Sequence, residues 1–262
     1  MKALILAAGY ATRLYPLTKE YPKPLLIVKE RPIVNYILDK LERINEIDEI
    51  ILVTNSKFIS RFKDWAGGLK VKKRLTLVDD LTKEHSDRRG AVGDTSFVID
   101  EKNIRDDLLV IGGDNLFDSD LEEFISFAHI NKPHPVIGAY DIQDIKEAKR
   151  YGVVRLDEKK QLVDFEEKPP VPKSTLVAMC LYYFPKESLG LVKEYLNEKV
   201  DKPRPSSKYS KPLNEGRGKN DATGFYIGWL RKKVDIYGFV FTGRWYDIGN
   251  HKFYNEAKEE FK

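Results

Sequence analysis

Four short runs, at residues 3–6, 49–54, 75–78 and 108–111, are apolar or rich in strand-forming residues, and each is followed by a stretch with helical character. Runs this short and this apolar read as strands buried on both faces, the pattern of a parallel sheet covered by helices. The intervening helices are predicted at 32–44, 57–65, 91–99 and 120–130; in the first of these Ile33, Val34, Ile37, Leu38, Leu41 and Ile44 fall on one face behind Pro32. The first half therefore reads βαβαβαβα, which predicts an α/β fold with a doubly wound, Rossmann-like sheet.

After residue 135 the rhythm changes. Runs at 136–140, 153–156, 162–165 and 176–184 read as strands with few long helices between them, so antiparallel additions should make the sheet mixed. Residues 201–219, rich in Lys, Pro, Ser, Gly and Asn, read as a long surface loop; a helix is expected at 221–232, a strand at 236–241 and a closing helix at 252–261. At 262 residues the chain is expected to be one domain, with halves at residues 1–132 and 133–262.

Composition narrows the function classes. The formal charge of +4 is small beside 45 basic and 41 acidic side chains, and no basic run is long enough to follow a nucleic-acid backbone, so nucleic acid is not an expected partner. The N-terminal apolar run is too short for a secretory segment, and no stretch approaches the ~18 apolar residues of a membrane span, so a cytoplasmic location without membrane contact is expected. The single cysteine, Cys180, cannot form an intramolecular disulfide, and in its apolar run it reads as a buried packing thiol. The four histidines show no metal-ligand spacing, which leaves no structural zinc site.

The stretch Leu6-Ala7-Ala8-Gly9-Tyr10-Ala11-Thr12-Arg13-Leu14-Tyr15-Pro16-Leu17-Thr18, continuing to Tyr21-Pro22-Lys23-Pro24-Leu25, follows the first strand directly. A ligand at the carboxyl end of a parallel sheet needs small residues at the turn, so that backbone amides can approach it, and then cations for its phosphates. Ala7, Ala8 and Gly9 give the room; Arg13 offers a fixed fork of donors and Lys23, between two prolines, a compact charge. The alternative is an ordinary strand-to-helix turn followed by a solvated basic loop. Neither the Gly-x-x-x-x-Gly-Lys-Ser/Thr of a P-loop nor the Gly-x-Gly-x-x-Gly of a dinucleotide fold is present.

The stretch resembles the opening motif of the sugar nucleotidyltransferases, Gly-x-Gly-Thr-Arg-Leu-x-Pro, then Thr, then Pro-Lys. Gly9, Thr12, Arg13, Leu14, Pro16, Thr18, Pro22 and Lys23 match, and Ala11 stands where the second glycine is common. The resemblance extends over nearly the whole chain. Gly112-Gly113-Asp114-Asn115 is similar to the family's metal-holding Gly-Asp-Asn, and Trp245-Tyr246-Asp247-Ile248-Gly249 to its Trp/Leu-x-Asp-x-Gly. By resemblance Asp114 and Asp247 would hold Mg²⁺, Arg13 and Lys23 would be catalytic, and Ala8, Gly9, Thr12 and Gly90 would line the nucleotide. Tyr151-Gly152-Val153-Val154 and Glu166-Glu167-Lys168-Pro169 resemble the sugar-binding pair, which assigns Gly152, Glu167 and Lys168 to the sugar phosphate; Arg217 matches a further arginine of that subsite. Where many relatives place a base-reading glutamine, this chain has Asp79, Asp80 and a longer polar loop, although Gly90-Ala91 is kept.

What the resemblance implies is a nucleotide-diphospho-sugar transferase type of fold and transfer of a nucleotidyl group from dTTP or UTP to a sugar 1-phosphate, glucose 1-phosphate above all. The pattern is most like that of the short glucose-1-phosphate thymidylyltransferases, without the added hexapeptide-repeat domain of longer relatives. Partners would be the triphosphate and the sugar 1-phosphate, with room for a homo-oligomer. A glycosyltransferase on a similar sheet would leave Arg13 and Lys23 unexplained, and a non-catalytic sensor would not need all of Arg13, Lys23, Asp114, Lys168 and Asp247.

Overall fold

The computed structural model describes residues 1–200 and 223–261. β1 (Lys2–Leu6) leads through two single-turn 3-10 helices (Thr12–Leu14 and Lys23–Leu25) and a small ribbon, β2 (Ile27–Val28) with β3 (Arg31–Pro32), into α1 (Ile33–Arg43). Then follow β4 (Glu49–Thr54), α2 (Ile59–Gly67), β5 (Arg74–Asp79), α3 (Gly90–Glu101), β6 (Leu108–Gly112), β7 (Asn115–Phe117) and α4 (Glu122–Ile130). The second half runs β8 (Val136–Asp141), α5 (Ile145–Ala148), β9 (Gly152–Leu156), β10 (Leu162–Glu167), β11 (Leu176–Phe184), α6 (Leu189–Val200), α7 (Thr223–Leu230), β12 (Tyr237–Phe241), β13 (Trp245–Asp247) and α8 (His251–Glu260).

Among the described residues one nine-stranded sheet passes through both halves. β1 is parallel to β4 on one side and to β6 on the other, and β5 continues parallel beyond β4. The order β5-β4-β1-β6 reverses its direction of growth at β1, so a crevice opens between the carboxyl ends of β1 and β6, where open α/β sheets bind ligands. Leu6 lies opposite Gly112 at that point. The antiparallel additions are present: β11 runs antiparallel to β6, β8 and β9, and β10 to β9, whereas β12 is parallel to β8. The register of β11 on β8 shifts between Ala178 and Tyr182, around Cys180 at φ 54. That irregularity lets residues 181–184 pair with β6 while Val177 pairs with Val153 of β9.

Alternation along the strands builds two cores. Ala3 and Ile5 of β1 face a cluster with Val34, Leu38, Phe62 and Phe124 of α1, α2 and α4, while Leu4 faces one with Val98, Val192, Tyr195 and Ile227 of α3, α6 and α7. Helices on both faces make the sheet doubly wound. α6 was not expected: Pro185 and Gly190 mask its start, yet Leu189, Val192 and Tyr195 fall on one side and reach the second core. β7 and β13, three residues each, are too short to carry a pattern of their own and exist through pairing with one another. The expected 201–219 loop lies outside the described residues.

Candidate active site

The crevice forms a cleft of ≈ 410 Å³ lined at one end by residues 6–9, Ala11, Arg13 and Lys23, in the middle by Gly112, Asp114 and Cys180, and at the other end by Tyr10, Gly90, Ala91 and Asp94. The turn after β1 is held from behind. Thr54 Oγ1 donates to the Ala7 carbonyl at 3.2 Å and Asn55 Nδ2 to that of Ala8 at 2.9 Å. A Cβ on Gly9 would touch no protein atom within 4 Å, so the missing side chain leaves open space rather than relieving a clash.

Ala11 is in the left-handed region (φ 45), where glycine is at ease and alanine is strained. Its carbonyl accepts from Thr18 Oγ1 at 2.8 Å and Leu14 N at 2.9 Å, which fixes the 3-10 turn carrying Thr12 and Arg13. Arg13 lines the cleft; Thr12 is exposed at the head of that turn, outside the cleft lining. Lys23 is only 8% exposed between buried Pro22 and Pro24, and its ammonium donates to the Asp114 carboxylate.

Asp114 sits in the turn between β6 and β7, and Asp247 ends β13. Antiparallel pairing sets Asp247 opposite Asn115, so two aspartates 133 positions apart in the chain face the same few ångströms of backbone. Asn115, buried, fastens this corner: Oδ1 accepts from Trp245 Nε1 at 2.8 Å, and Nδ2 donates to the Met179 carbonyl at 2.5 Å and that of Cys180 at 3.2 Å. One amide thus ties β7, β13 and the irregular turn of β11 together.

The electrostatics of the two carboxyls diverge. Burial pushes Asp247 up, with Asp114 adding to the push against Lys23 and Arg13. Burial acts on Asp114 too, but the Lys23 charge and hydrogen bond hold it below the usual carboxylate range. Among the described residues no three His, Cys, Asp or Glu side chains gather into a protein-only cage. Two hard oxygen donors beside a phosphate-sized cleft nonetheless fit Mg²⁺, which keeps waters and substrate phosphates as its other ligands. Cys180 packs against the second core as expected, but is half-buried rather than buried and also lines the cleft. Burial and the Asp114 charge push its thiol up to about 12, so it stays an unreactive thiol.

Gly152 and Glu167 are cross-strand neighbours on β9 and β10. A Cβ on Gly152 would lie 2.4 Å from Phe165 Cζ and 3.0 Å from Glu167 Oε2, so only glycine lets Glu167 sit there. Glu167 is largely buried, which pushes its carboxyl up, and pairs with Lys168 Nζ at 3.3 Å. Lys168 itself has φ 48, a strained backbone, and its side chain is largely exposed. Glu167, Asp114 and Asp247 all act electrostatically on Cys180, so the β11 turn lies between the two ends of the site. Arg217 lies outside the described residues.

Three groups escaped the reading of the sequence. Asn115 was quoted within its motif without a role. Asp94, with Asp80, which the sequence named only as standing in place of a base-reading glutamine, forms a buried interacting pair, and Asp94 and Tyr10 both line the cleft. A signal for Asp94 existed: it is the lone charge in the segment Ala91-Val92-Gly93-Asp94-Thr95-Ser96-Phe97-Val98-Ile99.

Comparison with known proteins identifies the family. The chain is 29% identical to the bifunctional protein GlmU of Methanocaldococcus jannaschii over 95% of its own length and 51% of the relative's. It is 27% identical to the glucose-1-phosphate thymidylyltransferase of Neisseria meningitidis over 98% of this chain and 81% of that one. The chain spans about half the length of the first curated relatives it matches. Its fold superposes with a TM-score of 0.79 on a Bacillus anthracis protein assigned as a glucose-1-phosphate thymidylyltransferase, at 23% identity and covering 99% and 94% of the two chains. Since the family model described as Nucleotidyl transferase matches residues 2–262, essentially the whole chain, this protein belongs to the nucleotidyl transferase family.

Proposed function

We propose that the chain transfers a nucleotidyl group from dTTP or UTP to a sugar 1-phosphate, glucose 1-phosphate first among them, and releases pyrophosphate. The observation that supports this most is the gathering of Arg13, Lys23 and Asp114 in the crevice where the sheet reverses, with Asp247 paired into the same corner. In this reading residues 1–132 bind the nucleotide and 133–262 the sugar phosphate.

A phosphate oxygen of the acceptor attacks the α-phosphorus in line, and the β- and γ-phosphates leave. The acceptor phosphate is already anionic at neutral pH, so no general base is needed, and catalysis rests on positioning and charge. Ala8 and Gly9 let the backbone approach the triphosphate. Arg13 forks onto the departing phosphates, and Lys23, parked on Asp114 in the free chain, meets the α-phosphate. Asp114 and Asp247 would hold a magnesium ion, which supplies charge neutralisation at the phosphate oxygens. Glu167 accepts hydroxyl protons of the sugar beside Gly152, and the exposed Lys168 meets its phosphate.

Pyrophosphate release measured across dTTP, UTP, CTP, ATP and GTP with a panel of sugar 1-phosphates tests the reading. Turnover with a pyrimidine triphosphate and a hexose 1-phosphate is expected. No release with any pair, or release with ATP or GTP alone, overturns it.

A further inference from the structure

Behind the far end of the cleft lies a pair of carboxyls that the phosphate chemistry does not use. Asp80, 1% exposed, follows β5, and Asp94, 5% exposed, stands one turn into α3 and lines the cleft. Asp80 Oδ1 accepts from Thr82 N and Thr82 Oγ1, both at 2.7 Å, and Thr82 Oγ1 lies 3.4 Å from the hydroxyl of Tyr10, which lines the cleft from the β1 side. Asp80 Oδ2 and Asp94 Oδ1 are buried without any donor among the described protein groups. Two adjacent buried carboxyls cannot both be anions without a large cost, and one proton shared between these orphaned oxygens satisfies both. Burial and the Asp80 charge push Asp94 up to about 8, so the proton resides on Asp94 at neutral pH, whereas Asp80 keeps its Thr82 donors and has Arg89 nearby. Asp94 then gives its proton to Asp80 and has its second oxygen left as an acceptor. It lines the same end of the cleft as Gly90 and Ala91, whose N–H groups, at the start of a helix, have no intrahelical partner.

An acceptor beside free donors is the complement of a ring imide, which offers N–H between two carbonyls. We propose that Asp94, oriented by Asp80, reads the nucleobase in this chain by accepting the imide N–H of a uracil or thymine ring. The proposal rests on the nucleotide reading above and assigns to Asp94 a specificity role that neither the glycine turn nor the phosphate cations can fill.

The test uses the whole chain and two probes, UTP and N3-methyl-UTP, which lacks the imide proton. Binding is measured by calorimetry and turnover by pyrophosphate release for wild type, D94N and D94A. Wild type should bind N3-methyl-UTP at least ~10-fold more weakly than UTP, the worth of about one hydrogen bond. D94N, whose amide can donate to Asp80 and present the same carbonyl, should keep that difference. D94A should bind the two probes alike and show a raised KM for UTP with an unchanged KM for the sugar phosphate. Equal binding of the probes by wild type, or a difference that survives in D94A, overturns the assignment. Failure of the function itself reads differently, as absence of pyrophosphate release with every unmodified triphosphate.

Discussion

Two glycines occupy the same helical position and should respond oppositely to the same substitution. Gly190 is the second residue of α6 and Gly224 the second of α7. In each, alanine removes the conformational entropy cost of glycine in a helix, a local gain of roughly 0.5–1 kcal/mol. Around Gly190 an added Cβ meets nothing within 4 Å. Around Gly224 it would lie 1.8 Å from Glu167 Oε2, 2.8 Å from Glu167 Cδ and 2.9 Å from Phe165 Cε1. The Glu167 carboxylate can swing away only by disturbing its pairing with Lys168, and the Phe165 ring, packed in the second core, has little room to shift; overpacking of this kind costs about 1–3 kcal/mol. Gly190→Ala should therefore be more stable than wild type, and Gly224→Ala less stable than Gly190→Ala by about 1–3 kcal/mol, or ~2–4 °C in Tm for each kcal/mol in a chain near this size. Urea denaturation and thermal melts measure the gap. Because the displaced group is Glu167, Gly224→Ala should also raise the sugar-phosphate KM while the triphosphate KM holds. Two variants of equal stability, or a Gly224→Ala protein with unchanged acceptor KM, would refute the packing of Glu167 beneath α7.

Asp114→Asn and Asp247→Asn should each lower turnover by at least ~10²-fold with an unchanged far-ultraviolet circular dichroism spectrum, since each removes half of a preorganised charge clamp; full activity in either variant, or in EDTA, counts against the metal assignment. Ala11→Gly relieves a left-handed alanine worth about 1–2 kcal/mol and returns about 0.4–1 kcal/mol to the unfolded chain, so a net gain of up to about 1.6 kcal/mol is expected in urea denaturation. Burial and the Asp80 charge push the Asp94 carboxyl from the ordinary carboxylate range up to about 8, so between those values the folded state holds a proton that the unfolded state has lost. Stability from this group is full below the unfolded value and is lost as pH rises through that window, at up to about 1.4 kcal/mol per pH unit; D94N should lack this contribution to the slope when stability is measured across that pH range.

The sequence by itself carried the architecture and much of the chemistry. Short apolar runs separated by helical periodicity dictate a doubly wound sheet, because period and burial are local properties that each segment displays alone. Arg13, Lys23, Asp114, Asp247, Gly152, Glu167 and Lys168 stand in recognisable motifs at strand ends, so the residues of the candidate site could be named from the sequence. Distance in the chain hid what pairing decided. Only the β7–β13 ladder brings Asp247 opposite Asn115, only the irregular turn of β11 lets Cys180 line the cleft while it packs against the core, and only the convergence of the β5 end with α3 makes one titrating unit of Asp80 and Asp94. Each of these depends on which backbone groups meet across the sheet and on how far water is excluded where they meet. Neither quantity is a property of any single segment, so both were fixed only when the chain closed on itself.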